Sequence, residues 1–257
     1  MIAKITILTS FLFACVYPLC FWISVKEPLK NNFHRFHLGL PCVVGGIVGL
    51  SVLMMDVAAS VKFFTAVWIS SLLIISGHYW NKEFPRVVII SLPSIMGLFA
   101  FFELQGGWMP LTYASLLSWL LGGFILCSSL FAMNLGHWYL NVPGLPIKHL
   151  NRTTRSLIVF LILRSLWDIA FLSGGNLIYR EDSIPIREFI FKLDGFLIWV
   201  ALLFGTVFPL IGCWFAMGTL KLKNTQATTG ILYVILCSIL LGDLTYKYYA
   251  IKFGVML

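Results

Sequence analysis

Residues 111 to 141 read LTYASLLSWLLGGFILCSSLFAMNLGHWYLN, and this run decides the fold class. It contains no Asp, Glu, Lys or Arg, and large apolar side chains are spread over its whole length. A helix needs about 20 apolar residues to cross roughly 30 Å of hydrocarbon. The run therefore predicts a membrane-spanning helix that is long enough to tilt or to protrude from the bilayer.

The composition extends this prediction to the whole chain. Of the 257 residues, 60% are hydrophobic and 11% are charged, and the mean hydropathy is +0.93. A protein with so few charged residues could not keep its surface in water, which excludes the soluble globular class. We predict an all-α, polytopic integral membrane protein in which residues 1–257 form one domain, a single bundle of eight transmembrane helices. The predicted spans are approximately 3–24, 38–58, 61–80, 87–104, 111–141, 155–173, 190–219 and 230–249.

Lysine and arginine are divided unevenly between the two sides of this topology. Ten lie in the loops after odd-numbered spans, and seven lie on the side that carries both termini. Because cytoplasmic loops carry the excess of basic residues, we predict that the ten-charge side is cytoplasmic and that both termini are outside. We expect the membrane to be the bacterial inner (plasma) membrane. The net charge of +8 lies mainly in short loops, so the expected partner is the lipid bilayer and not nucleic acid.

The cytoplasmic end of the fifth span is the most polar of the predicted helix ends. Asn134, His137 and Asn141 are spaced i, i+3 and i+7 and share one helical face, and Pro143 is predicted to stop the helix. His78 ends the third span at a matching depth. Two imidazoles from neighbouring helices can ligate a haem iron axially. We therefore predict a haem b site at His78 and His137, with the two asparagines beside the cofactor.

A non-haem metal ion is the alternative occupant of this end of the bundle. Cys20 and Cys213 lie near the ends of the first and seventh spans, and with His78 and His137 they would form a Cys2His2 ligand set. The structural alternative is that each histidine lies at the interface, bonded to water or to a carbonyl. Three further histidines are expected to be solvated in loops: His34, His37 and His149.

A second constellation lies in the predicted outer half of the membrane. Arg164 and Asp168 are four residues apart in the sixth span, and Asp243 and Lys247 are four apart in the eighth. This spacing aligns opposite charges on one helical face. A charge at mid-span costs roughly 2.5–3.5 kcal/mol on insertion scales, so these residues require at least pairing. We predict that Arg164 and Asp168 line a polar cavity and, with Asp243, serve proton or quinone chemistry.

The remaining charges near this depth lie within a turn or two of predicted helix ends, where anchoring at the interface is the simpler expectation. They are Asp56, Glu103, Asp194, Asp243 and Lys247. The longest outer connection, residues 174–185, is expected to be a solvated loop. A lid over the cavity and a docking segment for a partner are its alternatives.

Familiar soluble-enzyme signals are missing from the sequence, which has no phosphate-cradling glycine loop, no Gly-x-Ser-x-Gly elbow and no His-Glu-x-x-His. The leading functional hypothesis is a redox or cofactor-holding subunit of a membrane complex, with other subunits and a quinone or lipid as partners. A transporter or channel that uses the Arg/Asp cluster is the second, and a non-catalytic assembly subunit is the third. The fourth is a lipid-modifying enzyme in which His137 acts as general base beside a phosphate held by Arg152 and Arg155.

Overall fold

The computed structural model of the protein describes residues 1–24, 33–82, 85–142 and 145–257. Within these ranges, eight helices are long and apolar enough to cross a membrane, which confirms the predicted spans and indicates a membrane-embedded protein. The spans are Ile2–Ile23, Phe33–Met54, Ala59–Tyr79, Val87–Gly106, Tyr113–Asn141, Lys148–Gly174, Leu193–Lys221 and Thr225–Phe253.

The chain divides into two compact units, Ile2–Leu111 and Thr112–Leu257, here called the N-terminal and C-terminal units. The single domain expected for residues 1–257 stays a prediction. The elements of the N-terminal unit are α1 (Ile2–Val16), a 3₁₀ turn (Tyr17–Cys20), α2 (Phe21–Ser24), α3 (Phe33–Met54), α4 (Ala59–Tyr79) and α5 (Val87–Gly106).

Aromatic packing and one glycine bring the helices of the N-terminal unit together. Phe11 of α1 stacks on Trp68 of α4 with 4.5 Å between ring centroids, and both side chains are fully buried. A Cβ at Gly97 of α5 would lie 2.5 Å from the Cys15 sulfur. Helix α5 can therefore approach α1 closely at this position because Gly97 has no side chain. Small residues allow such close approach between helices in membranes.

The C-terminal unit contains the longest helices. Its elements are α6 (Tyr113–Asn141), α7 (Lys148–Gly174), β1 (Asn176–Tyr179), β2 (Asp182–Pro185), α8 (Ile186–Phe189), a 3₁₀ turn (Leu193–Gly195), α9 (Leu197–Leu202), a π turn (Leu203–Val207), α10 (Phe208–Lys221) and α11 (Thr225–Phe253). Pro143, which was predicted to stop α6, lies outside the described residues.

Local chemistry explains where the helices of the C-terminal unit begin and end. Thr112 and Ser115 form a capping box at the start of α6, in which each hydroxyl accepts from the backbone N–H of the other residue. Asn224 caps α11 by accepting from the Ala227 N–H at 3.0 Å. Gly254 ends α11 with φ +68°, a left-handed conformation that glycine adopts without steric cost.

Residues 174–185, which were expected to form a solvated loop, contain a β-hairpin. Strands β1 and β2 pair antiparallel, and the turn residues Arg180 and Glu181 both have positive φ, as a two-residue hairpin turn requires. Leu177 of β1 is buried in one core cluster with Phe189, Tyr246 and other residues of α8, α9 and α11. The hairpin is therefore a packed part of this unit.

A tyrosine of the hairpin is tied to the chain that follows it. The Tyr179 hydroxyl donates to the Asp194 carboxylate at 2.6 Å. This hydrogen bond raises the pKa of the Tyr179 phenol above its usual value, so the side chain stays a neutral donor.

Candidate functional site

Four charged side chains are buried in the C-terminal unit. Arg164 and Asp168 belong to α7 and are 2% and 3% exposed, and Asp243 and Lys247 belong to α11 and are 6% and 4% exposed. We call these four residues the buried quartet. Because a buried ion is costly unless it is paired and hydrogen-bonded, the contacts of each member determine what it can do.

The α7 pair is held by two neutral hydroxyl groups. Arg164 Nε lies 3.1 Å from Asp168 Oδ1. The other carboxylate oxygen, Oδ2, accepts from the Tyr246 hydroxyl at 2.6 Å and from the Thr206 hydroxyl at 3.1 Å. Across the described ranges Oδ1 makes no hydrogen bond, only this ion pair. Oδ1 therefore faces the guanidinium, and Oδ2 is the oxygen that faces the hydroxyl of Tyr246.

The Arg164 guanidinium is fixed from three directions. Its Nη1 donates to the Ser118 carbonyl at 3.0 Å, and its Nη2 donates to the Leu257 carbonyl. The guanidinium carbon also lies 3.8 Å from the centre of the Tyr246 ring, within range of a cation–π interaction. Arg164 thus provides a positive charge that does not depend on Asp168 alone for its position.

The α11 pair lies against α6. Lys247 Nζ donates to Asp243 Oδ2 and lies 5.4 Å from the centre of the Trp119 ring. A Cβ at Gly122 would lie 2.6 Å from Asp243 Oδ1, so the glycine provides the space for the carboxylate. This pair therefore depends on a bare stretch of α6 backbone beside it.

A small cavity is shared by the two pairs. Arg164 is the member of the α7 pair that lines it, and its full lining is Ser118, Trp119, Arg164, Asp243, Tyr246, Lys247 and Ala250, around a volume of about 10 Å³. A cavity of roughly 10–15 Å³ holds about one water molecule, provided that polar groups surround it. Five of the lining side chains are polar or charged, so the cavity can hold one water against Arg164 and the α11 pair.

The π turn places Thr206 in the site. Residues Leu203–Val207 have π-helical geometry between α9 and α10, and Ser238 of α11 donates to the Phe204 carbonyl in the turn at 2.7 Å. Opposite the turn, a Cβ at Gly242 would lie 2.1 Å from the Gly205 nitrogen, so two backbones meet without side chains. Single π turns inside helices are frequent at functional sites.

Anchoring of Asp243 and Lys247 at the interface stays a prediction, but both side chains are buried and paired within the C-terminal unit. Helix α11 continues to Phe253 beyond the predicted end at residue 249, and the chain then folds back so that Leu257 contacts Arg164. Both charged groups therefore lie well inside the helix. Three acidic residues predicted to lie near interfaces are exposed: Asp56, Glu103 and Asp194.

The two histidines predicted to ligate haem are both exposed. His78 of the N-terminal unit lies 2.6 Å from Lys82 Nζ through its Nε2 atom. His137 belongs to α6 of the C-terminal unit, where Asn141 donates to its backbone carbonyl at 3.2 Å. Asn134 is half-buried on the same helix. Haem ligation by this pair stays a prediction.

The cysteines of the alternative metal site are buried in different units. Cys20 lies in the 3₁₀ turn after α1, and Cys213 lies in α10, and both are free thiols. In the parts of the chain that the structure describes, no three His, Cys, Asp or Glu side chains are grouped to hold a metal ion. The Cys2His2 hypothesis thus gains no support and remains a prediction.

The three histidines expected to be solvated in loops are buried, so that expectation was wrong. Helix α3 begins at Phe33 and α7 begins at Lys148, so His34, His37 and His149 lie inside helices. His37 is 1% exposed, and its Nδ1 lies 2.7 Å from the Tyr17 hydroxyl. Aromatic rings in the same unit surround it and give the imidazole a structural role.

Comparison with protein-family models, with curated proteins and with solved structures finds no match to this chain. The site must therefore be interpreted from its own residues. Three of these were not predicted from the sequence: Ser118, Thr206 and Tyr246. Tyr246 had a detectable signal, because it lies three residues after Asp243 and so shares its helical face.

Proposed function

We propose that the protein is a proton-coupled membrane transport protein whose proton-binding centre is the buried quartet. The observation that carries this proposal is the burial of two ion pairs, on α7 and α11, against one water-sized cavity. Ionisable groups within membrane spans are costly, and they typically mark proton relays or substrate paths.

The contacts define a route by which a proton could pass between the two aspartates. Asp243 and Tyr246 both line the cavity, and the Tyr246 hydroxyl donates to Asp168. When Tyr246 passes its proton to Asp168 Oδ2, it takes a proton from the cavity side, so the phenol is neutral before and after the step. Thr206 contacts both Tyr246 and Asp168 and holds them in this geometry.

Protonation of either aspartate changes the charge balance of the site. Arg164 and Lys247 each stabilise the ionised carboxylate beside them. A proton on Asp168 or Asp243 leaves one buried cation without a counter-charge, which is unfavourable at low local dielectric. This provides a driving force for the helices to rearrange when a proton binds, which is the coupling step that a transporter requires.

A transporter fits the site better than an open channel does. The cavity holds about one water, so movement is needed before a cargo or an ion can pass. The π turn and the bare contact between Gly205 and Gly242 supply two places where α10 and α11 can shift without displacing side chains. Movement of packed helices against each other is a common form of domain closure.

The remaining expectations about context accompany this proposal. The count of basic residues favours a topology with both termini outside, and the bacterial inner membrane stays the location that we propose. A chain this confined to the bilayer is suited to work with other membrane subunits, and a quinone or a lipid remains a candidate partner. The absorption spectrum of the purified chain tests the cofactor-holding function proposed for His78 and His137.

Proton uptake by proteoliposomes tests the proposed function. The chain is reconstituted with a pH-sensitive dye inside the vesicles, and a potassium diffusion potential drives proton entry. We expect Asp168→Asn and Asp243→Asn to reduce uptake to the rate of protein-free vesicles. Two matched controls should keep the wild-type rate: Glu188→Gln, which removes an exposed carboxylate from the same unit, and His137→Ala.

A charge-balanced variant separates loss of function from loss of fold. Arg164→Gln combined with Asp168→Asn removes both charges of the α7 pair, so neither is left buried alone. We expect this variant to purify as a monodisperse protein and to show no proton uptake. Wild-type uptake by the folded double variant would contradict the proposal.

A further inference from the structure

Helix α7 has one face that is exposed over most of its length and changes from cationic to aliphatic. Lys148, Arg152 and Arg155 are spaced four and three residues apart at its start, and all three are exposed. The same spacing continues toward the other end of the helix with four exposed aliphatic residues: Val159 (54%), Ile162 (47%), Leu166 (60%) and Ile169 (64%). Residues with this spacing form one stripe along a helix.

The cationic part of this stripe borders a groove of about 420 Å³. The three basic residues line it together with Asn151 and Ser156. The Asn151 side-chain oxygen has no hydrogen-bond partner among the residues described. The groove thus combines three cationic donors with two neutral polar groups, which suits an anion that carries hydroxyl or ester oxygens.

The sequence of the C-terminal unit is free of acidic residues around these basic positions. Residues 112–163 and 195–242 contain no Asp or Glu, while five basic residues lie in these ranges: Lys148, Arg152, Arg155, Lys221 and Lys223. The opposite part of the unit, residues 164–194 and 243–257, contains all six of its acidic residues: Asp168, Glu181, Asp182, Glu188, Asp194 and Asp243. The field at the groove is therefore positive.

We propose that this groove binds the phosphate headgroup of an anionic phospholipid, with one acyl chain along the aliphatic stripe. Arginine matches phosphate oxygens with two donors at once, and the start of a membrane span lies at headgroup depth. From Arg155 to Leu166 the helix rises about 16 Å. This is close to one leaflet of the roughly 30 Å hydrocarbon core, so the stripe matches the length of one lipid chain.

Other occupants explain only part of this surface. A free phosphate would satisfy the cations but not the four exposed aliphatic residues below them. An apolar helix from a partner would cover the aliphatic residues but offer no anion to Arg152 and Arg155. The ordered change from charge to hydrocarbon along one face is what an anionic phospholipid complements.

Lipid retention measured by native mass spectrometry tests this site. The protein is released from nanodiscs that contain equal amounts of dioleoyl phosphatidylglycerol and dioleoyl phosphatidylcholine, and the bound lipids are counted. We expect wild-type protein to retain phosphatidylglycerol preferentially. Arg152→Gln combined with Arg155→Gln should weaken this preference on the order of 20-fold, because each arginine that donates directly to the phosphate contributes roughly fivefold through a charge-assisted hydrogen bond.

A charge-matched control distinguishes the groove from general membrane electrostatics. Lys221→Gln combined with Lys223→Gln removes the same charge elsewhere in the unit, away from the groove. We expect it to change the preference by less than about twofold. An equal loss in both double variants, or no preference in the wild type, would overturn the proposal. Displacement of the lipid by millimolar inorganic phosphate would also overturn it, because the acyl chain would then contribute nothing.

Discussion

The strongest energetic prediction concerns the ion pair of α7. Replacing Arg164 by Met removes the guanidinium and leaves the Asp168 carboxylate buried with only the hydroxyl groups of Tyr246 and Thr206. Replacing Asp168 by Asn keeps the shape of that side chain. It leaves the Arg164 guanidinium with two backbone carbonyls and an aromatic ring as partners. The two single variants should therefore differ in cost.

The magnitudes follow from what each variant leaves buried. Arg164→Met should lower the free energy of unfolding by about 3–5 kcal/mol, since it strands an anion that is 3% exposed. Asp168→Asn should cost about 2–3 kcal/mol, because the carbonyls still stabilise the cation. The double variant, Arg164→Met combined with Asp168→Asn, buries no charge at this position and should cost only about 1–2 kcal/mol. The coupling energy of the pair is then about 3 kcal/mol or more.

Equilibrium unfolding in mixed micelles measures these differences. The chain is titrated with a denaturing detergent, and unfolding is followed by tryptophan fluorescence and circular dichroism. Lys252→Met is the matched control, because it removes an exposed cation near the end of α11, and we expect it to change stability by less than about 0.5 kcal/mol. The reasoning would be refuted if the cost of the double variant equalled the sum of the two single-variant costs within about 0.5 kcal/mol.

Three further predictions concern the glycines beside the site and the histidines. Gly122→Ala places a methyl group 2.6 Å from Asp243 Oδ1 and should reduce proton uptake, whereas Gly230→Ala, which contacts nothing within 4 Å, should not; equal rates would contradict this. Gly242→Ala places a methyl group 2.1 Å from a backbone nitrogen and should destabilise the chain by roughly 1–3 kcal/mol in the unfolding assay, so wild-type stability would be evidence against the tight helix contact. Axial haem ligation predicts a Soret band that is lost in both His78→Ala and His137→Ala, and a purified chain without such a band would end that hypothesis.

Hydropathy was sufficient to predict the spans because the bilayer imposes one demand on all of them. Each must present about 20 apolar residues, and all eight predicted runs form helices. Boundaries were less accurate where a helix extends into polar sequence. Helix α7 begins at Lys148 and not at residue 155, because its first turns bury Leu150 and Thr153 while the basic residues stay exposed.

The pairing within each helix was also predictable from the sequence. Opposite charges four residues apart share a face, and Arg164–Asp168 and Asp243–Lys247 both form ion pairs. The neutral residues that complete the site were not predictable in the same way. Thr206 donates to Asp168 from within a π turn, and periodicity does not signal such a turn.

The burial of the histidines could not be predicted from the sequence. His78 and His137 stood out because they lie at matching depth at two predicted helix ends, and both are exposed in the structure. His37 was assigned to a loop, yet it is buried beside Tyr17 because α3 begins before it. Sequence identifies the residue types that can do chemistry, but burial depends on where each helix begins and on what packs against it.

The protonation state of the quartet carboxylates during transport is the most direct test of the account. Infrared difference spectroscopy of the protein in bilayers, recorded while a proton gradient is imposed, reports the carbonyl stretch of a protonated aspartate. We expect this band to appear in the wild type and to be diminished in both Asp168→Asn and Asp243→Asn. An unchanged band in both variants, or proton uptake by the wild type with no such band, would contradict it.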